Sequence, residues 1–309
     1  MTPGDMSCTW ISISFENMAI KLAGNLIESV KMIEIRQMTI DDFQLGLKLS
    51  RQAGWNQTES DMLRFLKLEP EGCFVAEHAG RSVGTTNTCV FDDIAWIAMV
   101  LVDVDFRGKG IGTKLLKYSL NYLDERKVKT VRLDATSAGQ PIYEKLGFVP
   151  EYRLARFEGI APSGKRGTLV SKATPALYAS IIEFDKLITG TNRGKMLSRF
   201  FEEFPEDIRI IRDGDKIEGF ILTRPGANAI QIGPCIATID AGSVLLPDAL
   251  SRCAAEPVFI DIPVDNANAV KVAESSRLKV QRYFMRMYRG ERIKDNIKAI
   301  WSSSGPEKG

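Results

Sequence analysis

The chain has 309 residues, more than one typical domain holds, so two domains are the simplest expectation. Its 41 Lys and Arg residues nearly balance its 39 Asp and Glu residues, which argues against a general affinity for nucleic acid. Five scattered cysteines without a C-x-x-C pair, and a single histidine, His78, argue against a disulfide framework, a zinc site and a His-based triad.

The N-terminal segment and the lengths of the apolar runs indicate in which cellular compartment the protein resides. No apolar run reaches the ~20 residues that a membrane span needs, and the first residues lack the basic start of a signal peptide. We therefore predict a cytoplasmic protein with no membrane partner. Residues 1–31 precede a segment typical of a domain start, so we treat them as an N-terminal extension of uncertain status.

Strand and helix patterns alternate through the first half. A strand at 31–38 leads into a helix with Thr39 as N-cap, and a second helix follows a break at Gly54 and Asn56. Three strands over 72–104 are separated by turns at 79–80 and 92–93, and His78 falls at a strand end or turn. A helix, a strand at 128–136, a short helix ended by Gly147 and a last strand complete a predicted domain at 32–160.

A similar order of elements recurs in the second half. Residues 161–205 are predicted to be a helical linker, and 206–290 a second, degenerate domain of three strands, helix, strand, helix and strand. The basic segments SGKRG and QRYFMRMYRGER are interpreted as a solvated linker and an amphipathic edge strand, not as nucleic-acid contacts. Residues 291–309 form a C-terminal tail, in which SSSGPEKG is expected to be disordered.

The glycine-rich turn in VDVDFRGKGIGTKLL, at 102–116, is typical of a phosphate-binding loop. Its spacing fits neither the Walker A nor the Rossmann pattern. It does fit R-x-x-G-x-G, formed by Arg107, Gly110 and Gly112 between a strand and a helix, and so resembles the GNAT acetyltransferases. In that family, backbone N–H groups and the helix N-terminus bind the pyrophosphate of coenzyme A. The alternative is a strand–helix turn that binds no ligand.

A second segment, LDATSAGQPIYEKLGF at 133–148, resembles the Y-E-K-L-G-F segment that closes the GNAT core. The whole chain resembles GNAT proteins that carry a degenerate second GNAT-like domain. The resemblance implies an α/β fold (an α+β mixed sheet): a central twisted mixed sheet with flanking helices, followed by a smaller GNAT-like domain. The second half lacks R-x-x-G-x-G, and aligning SRL of the second half with LGF of the first puts Ala273 at the position of Tyr143. We therefore expect the second half to bind no coenzyme A.

The resemblance implies direct transfer of an acetyl group from acetyl-CoA to an amine, without a metal. It assigns Tyr143 as the acid for the departing thiolate, although Tyr143 also fits a core aromatic. Asp134 is our choice of base, with Asp103 as a rival; Asp134 could instead orient the substrate ammonium or cap the next helix. The backbone around Leu101–Val102 would stabilise the oxyanion. The candidate cofactor-binding residues are Leu101, Val102, Val104, Arg107, Gly108, Lys109, Gly110, Ile111, Gly112 and Thr113.

Acceptor contacts are expected from the loop between the first two helices, at Trp55 and Asn56, and from Trp96, for which core packing is an equal alternative. Thr136 stands where many GNAT enzymes carry an asparagine that contacts the pantetheine arm, and a threonine can still hydrogen-bond there. We expect a small-molecule amine acceptor, with a protein N-terminus or lysine as alternatives, and a monomer or homodimer whose second domain covers the acceptor cleft. The rival function is a non-catalytic acyl-CoA-binding scaffold.

Overall fold

A computed structural model describes residues 33–164 and 166–306, so the predicted extension at 1–31 lies outside the described residues. The first half follows the predicted order of elements. Its strands are β1 (Ile33–Gln37), β2 (Cys73–His78), β3 (Arg81–Phe91), β4 (Ile94–Val102), β5 (Thr130–Ala135) and β6 (Val149–Ile160), and its helices are α1 (Phe43–Gln52), α2 (Glu59–Leu68), α3 (Ile111–Glu125) and α4 (Gln140–Glu144).

Local sequence signals explain these boundaries. The Thr39 N–H donates to the Asp42 carboxylate at 2.8 Å just before α1, and Thr58 and Asp61 form a capping box at the start of α2. The left-handed conformation at Gly54, with φ of 65°, ends the first helical segment. His78 is the last residue of β2, as predicted, and its ring meets the edge of Phe106.

The second half repeats the order of the first, including a pair of helices before its strands. Its strands are β7 (Ser171–Lys172), β8 (Ile208–Asp213), β9 (Lys216–Arg224), β10 (Ile230–Ala237), β11 (Pro257–Pro263), β12 (Lys279–Gly290) and β13 (Ile300–Ser302), and its helices are α5 (Tyr178–Thr189), α6 (Gly194–Glu203), α7 (Ile239–Arg252) and α8 (Ala267–Ser275). Helices α5 and α6 lie in the segment predicted to be a linker, yet Ile181, Met196 and Phe200 are fully buried in the core. The internal repeat therefore starts before residue 206.

The strands form one continuous sheet in the order β1-β2-β3-β4-β5-β12-β6-β11-β10-β9-β8-β7, with β13 paired to β10. The two halves exchange their last strands: β12 of the second half pairs with β5, and β6 of the first half pairs with β11. The pair β12–β6 lies at the centre of the sheet. The expectation that QRYFMRMYRGER forms an edge strand is therefore wrong, because its residues in β12 have neighbours on both sides.

The C-terminal segment is ordered as far as Pro306, contrary to the expectation for SSSGPEKG, whose last three residues lie outside the described residues. Trp301 is fully buried, and Ser302, Ser303 and Ser304 are buried too. The Ser302 hydroxyl donates to the Ile232 carbonyl at 2.6 Å, and the Ser303 N–H donates to the Asp261 carbonyl at 2.8 Å. These bonds to β10 and β11 order a segment whose serine and glycine content suggested disorder.

Four of the five cysteines, Cys73, Cys89, Cys235 and Cys253, are buried free thiols, and Cys8 lies outside the described residues. Burial raises the pKa of Cys89 to about 12, which keeps that thiol protonated. In the part of the chain that the structure describes, no helix combines the length and the apolar character that crossing a membrane requires.

Candidate functional site

A cavity of about 660 Å³ opens where β4 and β5 diverge. The two strands pair in parallel only between Ile94 and Trp96 of β4, at the start of β5, whereas the other edge of β5 pairs with β12 along its whole length. Residues 97–102 of β4 therefore line the cavity on one side, with Leu133 and Asp134 of β5 on the other. This divergence creates a gap beside the unpaired edge of β4.

A β-bulge in β4 shapes the wall of this cavity. Met99 and Val100 together lie opposite the single residue Thr86 of β3, and Met99 has a positive φ of 53°. The Thr85 hydroxyl donates to the Met99 carbonyl at 2.9 Å and holds the bulge in place. No signal in the sequence predicted this bulge, since methionine does not favour a positive φ.

The bulge leads to a regular segment in which alternate backbone groups face the cavity. The Asp103 N–H donates to the Val83 carbonyl at 2.8 Å, and Leu101 is paired with Thr85 two residues earlier. Because backbone groups alternate along a strand, those of Leu101 face β3, whereas those of Val102 face the gap beside β5. Leu101 thus lines the cavity without turning its N–H toward it. Of the two residues predicted to supply the oxyanion donor, Val102 is the one whose N–H faces the gap.

The glycine turn has the backbone conformation that requires glycine. Gly108 and Gly110 both have φ of 76°, in the left-handed region, and a Cβ built on either would meet no atom within 4 Å. Gly110 is the N-cap of α3 and supplies no capping side chain, and the first turn of α3 contains no acidic residue. The N–H groups at the start of α3 therefore face the cavity without a side-chain acceptor, which is the arrangement that binds anions.

Two of the predicted cofactor-binding residues lie elsewhere. Val104 begins a short 3-10 turn, Val104–Phe106, and is exposed, because β4 ends at Val102. The Lys109 ammonium lies 4.7 Å from the centre of the Phe106 ring and does not line the cavity. Arg107 does line it, and its Nε donates to the Val102 carbonyl at 3.1 Å. The other predicted residues that line the cavity are Leu101, Val102, Gly108, Gly110, Ile111, Gly112 and Thr113.

Tyr143 lies in α4, across the cavity from β4, and lines it together with Thr136 and Gly139. Burial raises the pKa of Tyr143 to about 12, so its hydroxyl is protonated at physiological pH. Its ring meets the edge of Phe148 at a centroid distance of 5.9 Å. The Thr136 hydroxyl accepts the Gly139 N–H at 3.3 Å, so Thr136 organises the entry to α4 as well as lining the cavity.

Asp134 also lines the cavity, but its carboxylate is engaged with the second half of the chain. Both carboxylate oxygens accept hydrogen bonds from Arg286 of β12, at 2.8 Å each. Burial raises the pKa of Asp134, although Arg286 acts in the opposite direction. The raised pKa suits a base and the two-point contact suits an orienting group, so these two roles remain predictions. The third, a cap of the next helix, does not apply, because Gly139 is the N-cap of α4.

The rival base, Asp103, does not face the cavity. Its carboxylate is buried, pairs with the Lys48 ammonium at 2.7 Å, and accepts the Asp105 N–H at 3.2 Å. The bond from Lys48 lowers the pKa of Asp103. Asp103 therefore caps the 3-10 turn that follows β4, and its side chain does not line the cavity.

Of the predicted acceptor-binding residues, Trp55 lines the cavity but Asn56 does not. The Asn56 side chain is buried, donates to the Ala229 carbonyl at 3.0 Å and accepts the N–H groups of Asn228 and Ala229. It joins the loop after α1 to the loop before β10. Asn56 therefore positions the loop that carries Trp55.

Trp96 has the core position that was the alternative to an acceptor contact. It is buried, with the guanidinium groups of Arg132 and Arg286 lying 5.6 and 4.7 Å from the centre of its ring, and it does not line the main cavity. Its Nε1 donates to the Pro306 carbonyl at 3.4 Å. Trp96 thus anchors the C-terminal segment, and Pro306 of that segment lines the cavity.

The cavity wall includes residues that the sequence did not suggest: Arg156 of β6, and Arg282 and Phe284 of β12. Strand exchange brings Arg282 and Phe284 from the second half to this wall. They come from the basic, aromatic segment that we interpreted as an edge strand. Its alternation of Arg282, Phe284 and Arg286 was the available signal, because residues two apart on a strand share a face.

The corresponding gap in the second half is filled by the chain itself. β13 lies between β10 and β11, and Trp301 packs against α7 so closely that a Cβ on Gly242 would approach the indole to 1.9 Å. When Leu245 is set against Leu115, Gly242 corresponds to Gly112. The start of α7 is also capped, since the Thr238 side chain accepts the Ala241 N–H and Asp240 lies in the first turn. An anion would find neither space nor free donors there.

Comparison with known proteins matches both halves to one family. A family model described as "Acetyltransferase (GNAT) domain" matches residues 69–150, and another with the same description matches 181–302. Together they cover about two thirds of the chain. The second match begins inside α5, in agreement with the burial of that helix.

Individual proteins extend the similarity to most of the chain. Holothin acyltransferase of Pseudoalteromonas sp. (strain SANK 73390) is 25% identical over 294 residues, which cover 89% of this chain and 97% of that protein. A solved Pyrococcus horikoshii structure, described as a candidate acetyltransferase, superposes with a TM-score of 0.76 at 26% identity, covering 90% of this chain and 96% of that one. A tandem GNAT protein from the clavulanic acid biosynthesis pathway shares the fold, with a TM-score of 0.58 at 14% identity, covering 85% of this chain and 100% of its own.

Proposed function

The chain belongs to the GNAT family of acetyltransferases, and on that premise we propose that it transfers an acetyl group from acetyl-CoA to the primary amine of a small molecule. It is an acyltransferase, and the residues that we assign to cofactor binding and catalysis lie in the first half. The observation that carries the proposal is the single cavity that joins the uncapped start of α3, the open edge of β4 and the Tyr143 hydroxyl.

The start of α3 fits the pyrophosphate of coenzyme A. Gly108 and Gly110 leave the space beside the backbone free, and the N–H groups of the first turn have no side-chain acceptor. Arg107 adds positive charge and forms no ion pair with any described residue. We propose that these groups bind the phosphates, and that the open edge of β4 at Val102 binds the pantetheine arm.

Bound acetyl-CoA would supply the acetyl group as an activated thioester. The Val102 N–H faces the gap where the thioester carbonyl would lie, so it is our candidate for stabilising negative charge on that oxygen. Tyr143 holds its proton because burial raises its pKa to about 12, and a protonated hydroxyl can donate to a leaving thiolate. Asp134, fixed by Arg286, would attract and orient the substrate ammonium, or accept its proton directly or through water.

Two observations favour a small-molecule acceptor over a protein N-terminus or lysine. The acceptor end of the cavity is walled by residues from both halves, including Trp55, Arg282, Phe284 and Pro306. In addition, a relative that aligns with this chain over 97% of its own length is named for acyl transfer to one specific compound, holothin. A site closed by two halves of one chain is suited to a compact amine.

The test is release of free CoA thiol from acetyl-CoA across a broad panel of amines, with wild type, Gly110→Glu and Tyr143→Phe compared. We expect wild type to turn over at least one amine. Gly110→Glu should lose acetyl-CoA binding, because the side chain would occupy the phosphate position and carry the wrong charge. Tyr143→Phe should bind acetyl-CoA with a similar Kd but lower kcat by about 10²- to 10⁴-fold, the usual contribution of a general acid.

A matched control is Asn121→Glu, which adds the same charge on an exposed position of α3 away from the cavity and should leave acetyl-CoA binding unchanged. If no amine releases CoA from a protein that binds acetyl-CoA, the scaffold alternative is correct and the proposal is wrong. If Tyr143→Phe turns over its amine at the wild-type rate, Tyr143 is not the acid.

A further inference from the structure

The acceptor end of the cavity carries a guanidinium without a carboxylate partner. Arg282 of β12 lines the cavity and is half-buried. Its Nε donates to the Gln281 side-chain carbonyl at 2.9 Å, and its Nη2 makes a long contact of 3.4 Å with the Gly54 carbonyl, next to Trp55. Among residues 33–164 and 166–306, no carboxylate oxygen lies within 4.0 Å of this guanidinium. Arg282 therefore brings to the cavity wall a cation that no described carboxylate neutralises.

The acidic groups nearest in the sheet are already engaged. Both oxygens of Asp261 accept hydrogen bonds from Arg156 at 2.8 Å, and one also accepts from Gln231. The Glu158 carboxylate accepts from the Gln281 side chain at 2.5 Å. Burial, and then the charge of Arg156, lower the pKa of Arg282, which reflects a cation that its surroundings do not neutralise. Arg286, on the same strand, instead pairs with Asp134.

Three residues of β12 follow one another along the cavity wall that an acceptor would contact. Arg282, Phe284 and Arg286 pair in regular register with β6, so their side chains share one face of the sheet. Arg282 and Arg286 are separated by about 13 Å along the strand at ~3.3 Å per residue. Phe284 lies between them and lines the cavity. The wall thus presents a cation, then an aromatic ring, then Asp134 held by Arg286.

We propose that the acceptor is an amine that also carries a carboxylate, and that Arg282 binds that carboxylate while the amine points toward Asp134. The proposal rests on the proposed function, because it names the acceptor class of the same site. A carboxylate matches the planar edge formed by the two Nη atoms. One unpaired cation balances a single negative charge, which favours a carboxylate over a phosphate dianion.

The experiment compares matched amines with and without a carboxylate: phenylalanine with phenethylamine, and 6-aminohexanoate with hexylamine. For each pair, the ratio of kcat/KM is measured by CoA thiol release in wild type, Arg282→Gln, Arg282→Lys and Arg153→Gln. In wild type, we expect the carboxylate member of at least one pair to be favoured by about 10- to 100-fold, the range for charge-assisted hydrogen bonds. Arg282→Gln should bring that ratio near one, and Arg282→Lys should restore part of it.

Arg153→Gln is the matched control, because Arg153 is exposed on β6, opposite Met285 of β12, and does not line the cavity. It removes the same charge and should keep the wild-type ratio. Measured acetyl-CoA affinity verifies that each variant is folded. A wild-type ratio near one for both pairs, or a ratio that survives Arg282→Gln, overturns the proposal and leaves the acetyltransferase function intact. Failure of every amine to release CoA overturns both.

Discussion

The ion pair between Asp134 and Arg286 joins the two halves beside the cavity, and its removal yields a specific prediction. The two hydrogen bonds are 2.8 Å long, and the side chains are only 1% and 3% exposed. Arg286→Met removes the charge but keeps an apolar chain of similar length, leaving a buried carboxylate without its partner. We expect it to lower the free energy of unfolding by about 3–5 kcal/mol, a large part of the ~5–15 kcal/mol that typical domains have.

Urea unfolding of wild type, Arg286→Met and the double variant Asp134→Leu/Arg286→Met measures this cost. The double variant should recover most of the loss, because replacing a buried ion pair with apolar groups is often neutral. The deficit of Arg286→Met should also shrink as the pH falls. In that variant the folded-state pKa of Asp134 lies above its unfolded value, so the penalty is complete above the folded pKa and vanishes below the unfolded one.

A comparison on the same strand separates this effect from general damage to β12. Arg289 pairs with Asp124, but both side chains are partly exposed, at 34% and 49%, so Arg289→Met should cost less than about 1 kcal/mol. If Arg286→Met costs no more than Arg289→Met, or if the double variant is as unstable as the single one, then the buried pair does not hold the two halves together and the reasoning is refuted.

Three further predictions follow from the site. In a pH–rate profile, kcat should show no loss from deprotonation of Tyr143 below about pH 10, because its pKa is raised to about 12; a titration near pH 8 assigned to this phenol would contradict the burial argument. In thermal unfolding, Gly110→Ala should cost about 1–2 kcal/mol, since φ is 76°, whereas Gly112→Ala, whose Cβ would lie 3.7 Å from Val102, should be tolerated or stabilise α3. Calorimetric titration should give one acetyl-CoA per chain, and Trp301→Ala should lower stability without adding a second site; a stoichiometry of two would show that the gap between β10 and β11 still binds coenzyme A.

Local features were predictable because their causes are local. The glycine turn, the caps at Thr39 and Thr58, and the buried face of α3 each depend on residues within a few positions of one another. The glycine turn lines the cavity, and its position was predictable because it too depends on neighbouring residues. Gly108 and Gly110 occupy backbone conformations that few other residues accept, so the shape of the turn was encoded in residue type.

Features that depend on distant partners were not predictable. Alternation in QRYFMRMYRGER indicates which side chains share a face, but it does not say which strands lie on either side. The partner of Asp134 is 152 residues away, so no local pattern connects it to Arg286. Asn and Trp are residue types that are common in binding sites, so Asn56 and Trp96 were predicted to contact the acceptor. Their structural roles are visible only from their contacts with Ala229 and Pro306.

The exchange of β6 and β12 also determines the order in which parts of the sheet can form while the chain is being synthesised. β5 is complete once residue 135 has been synthesised, but its neighbour β12 ends at residue 290. At roughly 5–20 residues per second, about 150 residues take some 8–30 s to emerge from a ribosome. During that time the edge of β5 is unpaired, and β6, the next strand in the sequence, is available to pair with it. Folding of the nascent protein must therefore leave this edge to a strand not yet made, and the half that carries the glycine turn becomes complete only when the second half is nearly finished.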